Sequence, residues 1–188
     1  MVDKTKQIVQ ASINVFVKKG YIGATTKEIA EKAKVAEVTL YRKFGTKKNL
    51  FEYSVNSLAL DKFSDTLNFD ESLNTFDFTK QLINNRLLVI AKNIKVVRML
   101  ISESLAGNLP LELRFTNIIF DHVSLSIKEH FERRNIDIDY EAFAKIVGGI
   151  LLGYAILPNK KAYNLLDANE KDVFLNNYLR VIINEKVE

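Results

Sequence analysis

The side chains best suited to chemistry lie between residues 25 and 51, TTKEIAEKAKVAEVTLYRKFGTKKNLF, where cations and hydrogen-bonding groups share a few predicted helical turns. Arg and Lys donate to guanine O6 and N7, Glu accepts from cytosine N4, and an apolar group such as Val contacts the thymine methyl. The positions of segment 36–44 that face outward on a helix carry four such residues, the predicted base readers: Glu37, Val38, Arg42 and Lys43. Glu37 is explained equally well by a favourable interaction with the helix dipole in the first turn.

Two short helices and a tight turn must position these side chains. Thr25 followed by Glu28 predicts a capping box at the start of the first helix. A second helix is predicted from Ala36 to Phe44, closed by Gly45 in the position that favours glycine. This is the pattern of a helix-turn-helix, whose second helix enters the major groove of DNA. An apolar stripe in residues 3–19 predicts the helix that supports the pair.

Charge is divided unevenly along the chain. Residues 1–50 hold 11 Lys or Arg against four Asp or Glu, whereas the remainder holds 16 against 19. A lysine-rich solvated surface would explain such a run in isolation, but its coincidence with the helix-turn-helix predicts a phosphate-binding surface.

The composition favours an all-α protein and disfavours several other classes. Two prolines and seven glycines in 188 residues leave long uninterrupted helical stretches, and the absence of cysteine excludes disulfides and thiolate chemistry. With no nucleophile motif and no Gly-rich phosphate loop, we expect neither an enzyme nor a cofactor. A metal site from His122, Glu103 and Asp121 lacks a diagnostic spacing, so none is predicted. The longest apolar run, 146–157, is too short to span a bilayer, which favours a cytoplasmic protein without a membrane partner.

The segments IAEKAKVA (29–36), TLYRKF (39–44) and KKNLF (47–51) resemble the DNA-binding segment of the TetR family of transcriptional regulators. The resemblance implies a homodimer, two helix-turn-helix heads on a palindromic operator in double-stranded DNA, and a helical body that holds a small-molecule effector. In the family pattern, four positions contact the phosphate backbone: Thr26, Thr39, Tyr41 and Lys47.

Two positions depart from that pattern. Lys34 stands where glycine is usual, so a positive φ there costs about 1 kcal/mol. Ala36 stands where a capping serine is usual, which removes an N-cap worth about 1 kcal/mol. We therefore expect a recognition helix that DNA orders further.

Beyond a linker predicted at residues 65–74, apolar periodicity predicts helices near 76–93, 96–105, 110–134, 140–157 and 168–184. The predicted architecture is an all-α protein of about nine helices. A three-helix DNA-binding head occupies residues 1–48, and a helical effector-binding and dimerisation body occupies residues 49–188.

Polar residues recur along one edge of the apolar face of the predicted helix 110–134. They are candidates to line an effector pocket opposite the preceding helix. The alternative is that this edge meets water or a neighbouring carboxylate. The candidate pocket residues are Met99, Ser102, Glu103, Arg114, Phe115, His122 and Ser126.

The predicted helix 140–157 is apolar on one face and carries small residues on the other. Two non-polar faces need two partners, and the second is expected to be another subunit. The last predicted helix is similar. The candidate dimer-interface residues are Gly149, Gly153, Phe174 and Tyr178.

Together these features predict a ligand-responsive transcriptional regulator, a homodimeric repressor that an effector releases from its operator. Two half-sites must add their free energies, because one short helix cannot discriminate a single site in a genome. The alternative is an architectural or protein-recruiting DNA-binding protein without an effector, which a filled interior around His122 would favour.

Overall fold

The structure, a computed structural model, describes residues 4–57, 69–109 and 115–183, with side chains from residue 120 onward in the last range. Within these ranges the chain forms nine α-helices, one 3-10 helix and no strand. The α-helices are α1 (Thr5–Gly23), α2 (Thr26–Lys32), α3 (Glu37–Phe44), α4 (Lys47–Val55), α5 (Thr75–Lys92), α6 (Ile94–Leu105), α7 (Phe115–Arg134), α8 (Tyr140–Ile156) and α9 (Ala168–Ile182). The predicted all-α class and the predicted number of helices are confirmed.

The described residues form two compact units. The first consists of residues 4–57, 95–109 and 115–116, and it holds α1 to α4 and most of α6. The second consists of residues 69–94 and 117–183, and it holds α5, most of α7, α8, the 3-10 helix and α9. The first part of the predicted linker, residues 65–68, and the predicted helix start at Pro110 lie outside the described residues.

The core of the first unit forms where α1 packs across α2 and α4. The Phe16 and Phe51 rings meet edge to face with centroids 4.8 Å apart, and Tyr21 contacts Phe51 at 4.9 Å. Ser12 donates to the Val9 carbonyl at 2.8 Å, so its 2.7 Å contact with Ser54 leaves Ser54 as the donor. Both serines are fully buried, and this bond satisfies their hydroxyl groups inside the α1–α4 contact.

Helix α1 is broken at Gly20, which has φ 71° and ψ 177°. This backbone conformation is accessible to glycine and costly for other residues. A Cβ at Gly20 would also overlap the Glu103 carboxylate of α6, which accepts a hydrogen bond from Asn108 Nδ2 at 3.1 Å. The backbone angle therefore requires glycine at this position, whereas the Glu103 carboxylate, at the end of a flexible side chain, would have to move to make room for a Cβ.

The capping box predicted at the start of α2 requires two hydrogen bonds, of which the structure has one. The Thr25 hydroxyl accepts a hydrogen bond from the Glu28 backbone N–H at 3.2 Å, as an N-cap should. The reciprocal bond of a capping box is not formed, because the Glu28 carboxylate pairs with Lys19 Nζ at 2.6 Å. That ion pair links α1 to α2 at the surface.

The second unit is built around α5, which packs against α8, α9 and the 3-10 helix Tyr163–Leu165. Tyr163 is fully buried, and its hydroxyl donates to Asn84 Oδ1 of α5 at 2.8 Å. The His130 ring lies parallel to Phe78 at 4.0 Å, and its Nε2 is 3.3 Å from the Thr75 hydroxyl. Burial, followed by the charges of Arg134 and Arg133, lowers the pKa of His130 to about 4, so this core imidazole is neutral near pH 7. In the described ranges, every helix is too short or too polar to cross a bilayer.

We expect Gly20→Ala to lower the free energy of unfolding by about 1–2 kcal/mol through the positive φ alone. Displacement of Glu103 adds to this loss. Gly23→Ala is the matched control, since its added Cβ would lie 3.6 Å from Lys19 Cβ, an ordinary contact. Urea unfolding followed by circular dichroism measures both, and equal stabilities of the two variants would contradict the prediction.

Candidate nucleic-acid interface

The recognition helix α3 has a buried face and a solvent face. Leu40 and Phe44 are buried and anchor the helix on the first unit. On the opposite side Val38 is 71% exposed and Tyr41 is 47% exposed. The other predicted DNA-facing side chains of α3 are exposed or half-buried: Glu37, Thr39, Arg42 and Lys43. Of the four predicted base readers, Val38, Arg42 and Lys43 are exposed, whereas Glu37 is half-buried.

The turn before α3 has the backbone that the sequence predicts to be costly. Lys34 adopts φ 50°, the left-handed region, and its N–H donates to the Glu31 carbonyl at 3.0 Å. Ala36 occupies the N-cap position without a side-chain hydrogen bond. Both expected departures from a well-capped recognition helix are confirmed.

A hydrogen-bonded network joins α2 to α3. The Thr26 hydroxyl donates to Glu37 Oε1 at 2.7 Å and lies 3.1 Å from the Tyr41 hydroxyl. Thr26 is buried, Glu37 is half-buried and Tyr41 is exposed, so the network runs from the protein interior to the solvent face of α3. The sequence assigns all three to DNA contact but does not predict that they bind one another.

Lys43 lies between α3 and the start of the chain. Its Nζ donates to the Thr5 hydroxyl at 3.0 Å while the side chain stays exposed. The contact joins the C-terminal turn of α3 to the first residue of α1. Lys43 is therefore positioned beside the N-terminal turn of α1 as well as on the recognition helix.

Lys47, predicted to contact phosphate, binds the broken end of α1. Its ammonium donates to the carbonyls of Tyr21 at 3.0 Å, Ala24 at 3.1 Å and Ile22 at 3.4 Å. The charge also lies 4.8 Å from the centroid of the Tyr21 ring, a cation–π contact. Three carbonyls account for all three ammonium hydrogens, so Lys47 fastens the first residue of α4 to the end of α1. The break at Gly20, which frees carbonyls of the last turn, is the sequence feature that points to this role.

The candidate effector residues are divided between the two units. Met99 is buried, Ser102 is exposed and Glu103 is half-buried, and all three belong to the first unit. His122 and Ser126 are half-buried on α7 in the second unit. The side chains of Arg114 and Phe115 lie outside those that the structure describes.

The Ser126 hydroxyl hydrogen is already bound within α7, and the surroundings of His122 favour its neutral form. Ser126 donates its hydroxyl hydrogen to the His122 carbonyl at 2.9 Å, within α7. Burial lowers the pKa of His122, and the Arg86 charge lowers it further. Arg86 itself is among the largest fully buried side chains and was missed by sequence reasoning. The sequence does indicate that Arg86 is buried, because the helical repeat places it on the same face as the apolar residues Ile83 and Ile90.

A groove of about 290 Å³ lies between α5 and α9. Its lining is Lys80, Gln81, Asn84, Ala168, Lys171, Asp172 and Leu175. None of these residues was predicted for the effector pocket. Among the described residues, no group of three or more His, Asp or Glu side chains is arranged to hold a metal ion.

The candidate dimer residues lie on α8 and α9. Gly149 is exposed and Gly153 half-buried, and a Cβ at either position would meet no atom within 4 Å. Phe174 is half-buried in an aromatic cluster, and Tyr178 is 43% exposed beside it. Large apolar side chains are also exposed on these two helices: Ile146, Ile156, Val173 and Val181.

The first unit now defines a class of protein. Two short helices are joined by a four-residue turn, the second helix presents cations and polar groups to solvent, and the surrounding 50 residues are strongly basic. This is a helix-turn-helix DNA-binding protein.

Comparison with known proteins shows which helix-turn-helix proteins the chain is similar to. The family model for bacterial regulatory proteins of the tetR family matches residues 8–53. A Bacillus subtilis (strain 168) protein, described as the uncharacterized HTH-type transcriptional regulator YvkB, is 53% identical over 47 residues. That match spans 25% of this chain and 25% of the length of the curated relative.

Solved structures extend the likeness to almost the whole chain. A Clostridium perfringens protein, provisionally described as a fatty acid metabolism regulator, has a TM-score of 0.69 at 25% identity, covering 95% of this chain and all of that one. A tetR-family regulatory protein from Rhodococcus RHA1 has a TM-score of 0.70 at 18% identity over 97% of this chain and 98% of its own, which shows a shared fold. Residues 8–53 are thus similar to the DNA-binding segment of tetR-family regulatory proteins, and the fold of the whole chain is similar to that of solved regulators.

We expect Lys47→Met to lower the free energy of unfolding by about 2 kcal/mol, because it leaves carbonyls at the end of α1 without their charged donor. Lys48→Met removes the same charge one residue away. Lys48 pairs with Glu52 at 3.7 Å on the surface, a contact worth about 0–1 kcal/mol. Chemical unfolding of both variants measures the difference, and an equal loss would show that the carbonyl contacts do not stabilise the head.

Proposed function

We propose that this protein is a homodimeric repressor that binds a palindromic operator and releases it when a small molecule binds the body. The observation that carries the proposal is the surface of α3, on which Val38, Arg42 and Lys43 are exposed while Leu40 and Phe44 anchor the helix in the core. Residues 1–48 form the DNA-binding head in this proposal, and residues 49–188 form the body.

Base and backbone contacts have separate roles in the proposal. Arg42 and Lys43 are long cations suited to guanine edges, and Val38 is suited to a thymine methyl. Thr39 and Tyr41 fix the register on the phosphate backbone, which carries no sequence information by itself. Lys47, whose ammonium hydrogens are bound by three carbonyls, contributes its charge at this position. Two heads place their recognition helices in successive major grooves, about 34–36 Å apart.

Dimerisation is proposed to use α8 and α9. Phe174, Tyr178 and Val181 follow an i, i+4, i+7 spacing and so share one face of α9. Val181 is 83% exposed, and exposed apolar surface of this kind marks an interaction site. A second copy of the chain covers this surface in the proposal, because a two-fold dimer supplies the matching surface.

The body is proposed to bind the effector. Support comes from polar groups inside an apolar unit: the buried Arg86 guanidinium and the half-buried His122 imidazole influence one another electrostatically. Such groups orient a ligand of mixed polarity in an otherwise apolar site. The effector releases DNA only by the difference between its affinities for the DNA-bound and free conformations.

DNA binding is tested by fluorescence anisotropy with a labelled duplex from immediately upstream of the gene for this protein. At physiological salt and with excess unrelated duplex, we expect saturable binding with two subunits per half-site pair. Loss of binding on adding competitor would show that the head contacts phosphate without selecting a sequence at this site.

The same labelled duplex then tests the effector. In a screen of small metabolites, a compound that weakens operator binding at least tenfold supports the repressor mechanism. Unchanged operator affinity across the screen would contradict the effector part and favour an architectural DNA-binding protein.

We expect Val181→Glu to convert the dimer into a monomer, because a charge would be buried at the centre of the proposed interface. Sedimentation velocity measures the mass. Leu105→Glu is the control, since Leu105 is 76% exposed on α6 and belongs to the first unit, whereas α8 and α9 belong to the second. A Val181→Glu protein that sediments like wild type would place the interface elsewhere.

A further inference from the structure

We infer that Glu37 selects one base of each half-site. Its carboxylate belongs to a hydrogen-bonded network with Thr26 and Tyr41, and this network must open when either hydroxyl donates to a phosphate. The inference rests on the proposed function and assigns a mechanism to one residue of the recognition helix. Its starting point is the contact of Glu37 Oε1 with the Thr26 hydroxyl at 2.7 Å and of Thr26 with the Tyr41 hydroxyl at 3.1 Å.

The hydrogens of this network can be counted. A threonine hydroxyl has one hydrogen, and Thr26 donates it to the Glu37 carboxylate. The Thr26 oxygen therefore accepts in its contact with Tyr41, which leaves Tyr41 as the donor. Both hydroxyl hydrogens thus point inward along a chain that ends on the Glu37 carboxylate. Neither hydroxyl has a hydrogen for a phosphate while the network is intact.

Contact with DNA forces a choice at this network. Phosphate oxygens only accept hydrogen bonds, so Tyr41, 47% exposed beside Arg42, reaches a phosphate as a donor only after leaving Thr26. If Thr26 instead turns its hydrogen to a phosphate, Glu37 loses the bond directly. The second change removes the hydrogen bond to the carboxylate, and the first weakens that bond by removing the donor that polarises Thr26. DNA makes the same region more negative, which raises the cost of a carboxylate with weaker hydrogen bonds.

A hydrogen-bond donor on the edge of a base can replace the hydrogen bond that the Glu37 carboxylate loses. The exocyclic amino group of cytosine, and likewise that of adenine, presents a hydrogen in the major groove, and a carboxylate accepts from it. A duplex with such a group opposite Glu37 offsets the opening of the network, whereas another duplex leaves a carboxylate unpaired among phosphates. Glu37 thereby lowers affinity for unrelated DNA and ties phosphate contact to one base of each half-site.

The placement of Glu37 supports selection rather than helix capping alone. Helix α3 has no side-chain N-cap at Ala36, so a purely local role for an acid would be an interaction with the first-turn backbone. The carboxylate instead reaches Thr26, 11 residues earlier, and is half-buried at the edge of the solvent face. A group at this boundary can exchange a protein donor for a DNA donor with a short movement.

The test uses the full-length protein and its variants Glu37→Gln and Glu31→Gln. Wild type first selects duplexes from a random pool, and the best duplex and a scrambled duplex of equal composition are then titrated at physiological salt. Glu37→Gln keeps an acceptor for Thr26 but removes the charge. Glu31, exposed on α2 and outside the network, is the matched control for loss of one negative charge.

We expect Glu37→Gln to raise affinity for the scrambled duplex about fivefold more than Glu31→Gln does. A repeated selection with Glu37→Gln should lose the preference for cytosine or adenine at one position of each half-site, from about fivefold or more to less than about twofold. Tyr41→Phe should weaken binding to both duplexes, because it removes a phosphate donor and no base contact.

Three outcomes would overturn the inference. Equal gains for Glu37→Gln and Glu31→Gln would assign the effect to net charge. An unchanged base preference in Glu37→Gln, with unchanged thermal unfolding, would reduce Glu37 to a structural tie between α2 and α3. Failure of wild type to enrich any duplex would overturn the proposed function together with this inference, and so is distinguishable from the first two.

Discussion

The position of the recognition helix depends on the packing of α1 against α4. The Phe16, Tyr21 and Phe51 rings interlock at this contact, and the buried Ser12–Ser54 hydrogen bond fixes the register of the two helices. Helix α3 contributes few buried residues of its own and has no side-chain N-cap. The orientation of α3 is therefore set by the helices on which it packs. Short helices gain most of their stability from tertiary packing, and this one follows that rule closely.

Several polar groups of the head serve the fold as well as the proposed DNA contact. Lys47 donates to the end of α1, Lys43 reaches Thr5, and Glu37 accepts from Thr26. A count of positive charges in residues 1–50 therefore overstates what is available to phosphates as hydrogen-bond donors. It remains a fair measure of the electrostatic field, because a charge acts at a distance whether or not its hydrogens are engaged.

Helical periodicity in the sequence predicts which side chains of a helix are buried and which are exposed. It does not predict contacts between residues of different helices, which form only when the helices pack. The buried anchors Leu40 and Phe44 and the exposed Val38 follow directly from the helical repeat. The partners of Glu37 and Lys47 do not, since each contact joins residues brought together only when separate helices pack. The assignment of predicted pocket residues to different units has the same cause. Residues 95–109 belong to the first unit, which no local pattern in the sequence indicates.

The contact between Glu103 and Gly20 has a consequence for modularity. The segment that carries the family signature, residues 8–53, is smaller than the compact unit to which it belongs, because residues 95–109 complete that unit. A carboxylate from this later segment occupies the space left by the missing Cβ of Gly20. The first unit is therefore discontinuous along the chain. Recombination that exchanged the first 57 residues alone would transfer the recognition surface without the helix that completes its packing.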